Sequence, residues 1–99
     1  MELIETPYLL EEKAKHIGKL LTLDNVFIAN IQLKTGETIP EHDSKREVII
    51  VVRKGAVSFD VEGKEVIVTQ NNMLHLSPLE RHSLLAKEDV DLLVIQVTP

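Results

Sequence analysis

The 99-residue sequence contains no cysteine. Disulfide staples, thiolate nucleophiles and thiolate metal sites are therefore excluded, and any metal would have to be held by histidine, carboxylate or water. A secreted location is not excluded by this absence. Aromatic residues are scarce, at 3%, which argues against a stacking platform for nucleobases or sugars and favours small carboxylate or aliphatic ligands. No cluster of lysine and arginine offsets the formal net charge of −5. A phosphate backbone would be repelled, so no nucleic-acid partner is expected. No apolar run approaches the ~20 residues that cross a bilayer, and residues 1–6 show no positive stretch leading into an apolar one. The expectation is a cytoplasmic protein without membrane contact. Linkers, internal repeats and low-complexity stretches are also missing.

What is present is the composition of a packed globular chain, 43% hydrophobic and 27% charged. At this length there is room for one core, so residues 1–99 are read as one domain, with 1–14 as a cover segment and 15–99 as a barrel. From residue 15 onward, β-branched runs recur every eight to twelve residues between turn residues, the spacing of a sandwich or barrel. The expected strands are 17–23, 26–33, 47–53, 56–61, 64–69, 73–76, 82–86 and 92–98. Asp24-Asn25 and Glu62-Gly63 sit at two-residue loop length between such runs, where positive φ is needed, and read as hairpin turns. Val57, Phe59 and Val61 alternate with Ser58 and Asp60, giving one buried and one wet face. Only residues 8–15 have helical composition, enough for a short helical or turn segment covering one end.

The segment 36–55, GETIPEHDSKREVIIVVRKG, resembles the first signature of the cupin superfamily. Gly36, His42 and Gly55 fall on its conserved frame, while Ser44 stands where a second histidine is found and Val48 where a glutamate is found. The later segment 72–86 resembles the second signature through Pro78 and His82, but Asn72, Glu80 and Ala86 depart from it. The resemblance implies an all-β fold, a small antiparallel jelly-roll barrel of six to eight strands with a pocket at its wider end, commonly dimerised through edge strands. It does not imply one activity.

Cupins that hold a metal use three histidines and a glutamate pointing into the barrel, a set suited to Fe, Mn, Ni, Cu or Zn. Here strand parity decides what faces inward. If His42 points inward, Ser44, Val48, Ile50 and Val52 share its face, and Glu47 and Arg53 lie on the other. A one-residue slip in the preceding loop would instead bring Glu47 inward beside His42 and His82. His75 is the other recruit, lying just before the Pro78 turn; its alternative is a hydrogen-bonded histidine between Leu74 and Leu76. His16, flanked by lysines, reads as a surface residue.

Two functions are weighed. One is a small-molecule-binding barrel of apolar lining, including Ile50, Val52 and Phe59, with His42, Ser44 and His82 as polar anchors and no cofactor beyond a weakly held divalent ion such as Fe, Mn, Ni or Zn. The alternative is a divalent-metal-dependent enzyme of dioxygenase or isomerase type, using His42 and His82 plus Glu47 or His75. A metal-free variant of the second has the two histidines as base and acid in an isomerisation. The apolar runs 26–33 and 92–97 read as sheet edges that a second copy would cover, so a homodimer is expected.

Overall fold

The computed structural model describes residues 1–99, in which the β-branched runs form nine strands. These are β1 (Lys15–Thr22), β2 (Val26–Leu33), β3 (Thr38–His42), β4 (Glu47–Lys54), β5 (Val57–Val61), β6 (Lys64–Val68), β7 (Met73–Leu76), β8 (His82–Ala86) and β9 (Val90–Val97). All pair antiparallel, in a five-stranded sheet of order β1-β2-β9-β4-β7 and a four-stranded sheet of order β3-β8-β5-β6. β9 is inserted between β2 and β4, and β8 between β3 and β5. Such crossovers produce the jelly roll, in which the inner faces of the two sheets share one core. No helix is long and apolar enough to cross a membrane.

The core follows from alternation. Leu33, Val57, Phe59, Val90 and Leu92 have no solvent exposure, and each such burial contributes about 1.5–3 kcal/mol. Val48, Ile50 and Val52 join them from β4, while Ile49 and Val51 between them are only half-buried. Two glycines are dictated by backbone geometry. Gly63 (φ +86°) follows Glu62 (φ 50°) in a two-residue turn between β5 and β6, the mirror-image type that needs positive φ at both positions. Gly55 (φ +83°) lies so close to Asp89 that an added Cβ would sit 2.1 Å from the Asp89 carbonyl oxygen. Glycine is therefore required there for space as well as for conformation.

Several expectations are corrected. The helical composition of residues 8–15 yields only one turn, with the Leu9 carbonyl accepting from the Glu12 and Lys13 amides at 3.0 and 3.2 Å, before β1 begins at Lys15. So short a stretch cannot offset helix nucleation, and side-chain bonds hold it instead. Gln32 accepts from the Leu9 amide (2.8 Å) and donates to the Pro7 carbonyl (2.9 Å). Arg53 donates to the Thr6 hydroxyl and pairs with Asp91 at 2.9 Å. The segment thus straps the outer face of β2, β9 and β4, and it buries Leu10 to 2% exposure.

Asp24-Asn25 does turn between β1 and β2, but neither residue has positive φ. A bulge at Leu20, between the Lys19 and Leu21 pairings, adds the twist that a mirror-image turn would otherwise supply. Strand β3 was not expected, because Pro40 interrupts its pattern; it is an edge strand, where proline is tolerated. Conversely, β2 and β9 are interior strands and not edges, so unpaired backbone along them is no motive for dimerisation. Their inward residues pack on the core, and the strap covers only part of their outer face, at Gln32 on β2 and beside Asp91 on β9.

Candidate functional site

The site begins with an extra residue. Along β3 and β8, Ile39 pairs with Leu84 and then His42 with His82, three steps on one strand against two on the other. This bulge at Pro40-Glu41 reverses the parity of β3, so Ile39 and His42 both face the barrel interior. Without it, Glu41 would take the place of His42. On β8, His82, Leu84 and Ala86 alternate inward and are buried, and His82 is also opposite Val61 of β5.

The two imidazoles meet edge to face, with ring centroids 4.2 Å apart at an interplanar angle of 62°. His42 is exposed at the rim, whereas His82 is 5% exposed and stands 6.3 Å from the Phe59 ring. Each ring uses Nδ1 in the same way: His42 Nδ1 lies 2.9 Å from the Pro40 carbonyl, and His82 Nδ1 3.0 Å from the Glu80 carbonyl. A carbonyl only accepts, so both Nδ1 atoms carry a proton, and in the neutral ring Nε2 is left as the acceptor. Burial pushes His82 below the usual histidine range and the neighbouring His42 adds to this, against the Glu80 carbonyl bond and the Asp43 and Glu80 carboxylates. His82 is a neutral acceptor at neutral pH.

These rings open on a cavity of about 230 Å³ lined by twelve residues, nine of them hydrophobic. Ile50, Phe59, His42 and His82, all anticipated, line it, as do Leu84 and Val94. Ser44 and Val52 do not. The Ser44 hydroxyl accepts from the Arg46 amide at 3.1 Å and its carbonyl from the Leu79 amide at 2.7 Å, so it shapes the loop before β4. Val52, 4% exposed, sits in the core away from the cavity. Ile39 and Gln96 belong to the lining and were missed. Gln96 was legible, since it shares the face of Val94 two residues earlier; Ile39 was hidden with β3.

The metal set proposed for the alternative function is not assembled. Val48 is inward, so Glu47 points outward, where it pairs with His75 Nε2 at 2.5 Å. Both are corrections from the same parity: the loop before β4 contains no compensating slip. Nowhere does the structure gather three histidine or carboxylate side chains suited to an ion. Two imidazoles do not fit the four-residue cupin set.

No family model matches the chain, and no curated protein matches it. Solved structures do. An RmlC-like cupin from Desulfovibrio desulfuricans is 22% identical, with 100% of this chain and 95% of that one covered at a TM-score of 0.81. An RmlC-like cupin family protein from Methanocaldococcus jannaschii is 21% identical over 98% of this chain and 90% of that one, also at 0.81. A conserved protein of unknown function from Streptococcus pyogenes is 17% identical over 100% and 91%, at 0.82. With the nine-stranded topology above, these likenesses establish that the chain is a small domain of the cupin fold.

Proposed function

We propose that the barrel binds a small organic molecule in the cavity beneath His42 and His82. The observation that carries this reading is the pair of inward imidazoles, each held by a backbone carbonyl through Nδ1 and each with its Nε2 unpaired beside an apolar chamber. A ligand with a hydroxyl or amide donor and a compact hydrocarbon part satisfies both features. A divalent ion on these two nitrogens alone would keep water at its remaining positions and be readily lost. The test is a fragment screen by NMR on the whole chain. Binders that shift the His82 ring and Ile50 methyl signals, and that lose affinity in His42→Ala and His82→Ala, support the reading; a full screen without such shifts refutes it. Near-stoichiometric Fe, Mn, Ni or Zn in untagged protein would favour a metal enzyme instead.

We also propose a homodimer, through the outer face of the five-stranded sheet and not through β2 or β9 as edges. Across that face Ile28, Ile95 and Ile49 stand in one row of strand partners, and Leu93, Val51 and Met73 in the next. Apolar rows facing outward are suited to a self-complementary contact. Light scattering should give twice the 11.2 kDa chain mass, and Ile49→Glu should reduce it to one. A monomeric mass for the unaltered chain at micromolar concentration would remove the proposal.

A further inference from the structure

Beside the histidine cavity lies a second one, of about 370 Å³, and the two share Ile17, Ala29 and Gln96 in their walls. Its charge is opposite to that of the protein. The chain carries 16 acidic against 11 basic residues, yet this cavity is lined by Lys19 and Arg46 and by no carboxylate. Arg46 differs from the other two arginines. Arg53 is paired with Asp91, and Arg81 with Glu41 and Asp43, whereas Arg46 has no carboxylate within 4.0 Å. Its guanidinium lies over the Phe27 ring at 4.0 Å, and Nη1 donates to Gln96 Oε1 at 3.2 Å. Stacking fixes the plane of the fork and leaves its edge for a planar anion. Because Gln96 turns its oxygen to Arg46, its own amide hydrogens remain free to donate.

Building on the ligand-binding reading above, we propose that Arg46, with Lys19, is the carboxylate anchor of this protein's ligand, and that the ligand is a small aliphatic carboxylate. The carboxylate sits on the guanidinium edge, and the hydrocarbon part passes Gln96 into the apolar chamber toward His42 and His82. Charge-assisted bidentate contact supplies orientation, and the chamber supplies selection for chain length.

The probes are hexanoate, its neutral counterpart hexanamide, and inorganic phosphate, titrated into the isotope-labelled 99-residue chain. Hexanoate should shift the Arg46 Nε–H, the Gln96 side-chain amide and His82 together, and should bind about tenfold or more tightly than hexanamide. Arg46→Gln should abolish that preference, Arg46→Lys should restore part of it, and Lys19→Gln should weaken hexanoate a few-fold. Amide spectra of each variant verify the fold, and Lys19→Gln on the edge strand gives an independent measure should Arg46→Gln unfold. Equal affinity for hexanoate and hexanamide, or a preference that survives Arg46→Gln, overturns the proposal while leaving the cavity-binding reading standing. Phosphate displacing hexanoate from Arg46 without moving His82 overturns the assignment of an aliphatic carboxylate. If neither hexanoate nor any neutral fragment moves His82, both readings fall.

Discussion

His42 and His82 are direct partners across the β3–β8 ladder, and their rings make contact only because β3 carries one residue more than β8 between this pair and the pair before it. Deleting Glu41 should remove the bulge and leave two regular steps from Ile39 to His42, so that His42 stays opposite His82 on the inward face while the barrel persists. The expected outcome is a retained ring-to-ring contact in NMR spectra and a His82 titration that stays depressed. A deletion variant that loses the contact would show that the bulge geometry itself, and not the parity of β3, sets the orientation.

Acid should weaken the fold through His82. Burial holds its native pKa below the ordinary value of 6.5, so between the two values the unfolded chain binds a proton that the native state refuses. The associated stability is complete above the unfolded value, declines as the pH falls through it, and is fully lost below the native value. Melting temperatures measured between about pH 8 and pH 5 should fall, with a shallower slope in His82→Gln. Equal slopes would assign the acid sensitivity to other groups.

The glycines of the two turns should respond unequally. Gly63 has nothing within 4 Å of an added Cβ, so Gly63→Ala meets only the left-handed backbone penalty, about 1–2 kcal/mol. Gly55→Ala collides with the Asp89 carbonyl as well and should cost distinctly more in a urea unfolding series, with loss of the loop between β8 and β9 as the structural readout.

Phe59 is completely buried between the core and the candidate cavity. Its replacement by alanine should destabilise the chain by about 3–5 kcal/mol and enlarge the chamber beneath His82. A loss below about 1 kcal/mol by denaturant titration would mean that the surrounding residues collapse into the space.

Much of this was legible because alternation is a strong signal. The parity argument placed Val48, Ile50 and Val52 inside and Glu47 outside, and the structure agrees at each of them. β2, β7 and β8 lie where the β-branched runs indicated, and the Glu62-Gly63 turn has the conformation its residues demand. What escaped depends on contacts between distant segments. Pro40 disguised β3, and neither Asn30 nor Gln32 announces that it will be buried; they are, because Asn30 donates to Asp91 and Gln32 meets the backbone at Pro7 and Leu9. Arg46 likewise gives no sign in sequence that Phe27 lies beneath it. Interior and edge positions of β2 and β9 were also confused, since an apolar run looks the same whether its flanks are paired or bare.

The strap across β2, β9 and β4 changes what counts as the smallest workable version of this molecule. A version trimmed to the nine strands would keep every ladder yet strip Leu10 of its place, leave the Gln32 amide without its backbone partners, and admit water to the Arg53–Asp91 pair. Anyone shortening the chain for crystallisation or fusion should therefore expect insolubility from a cut after residue 10, whereas Met1 and Leu3, which stand free in solvent, tolerate an attached tag.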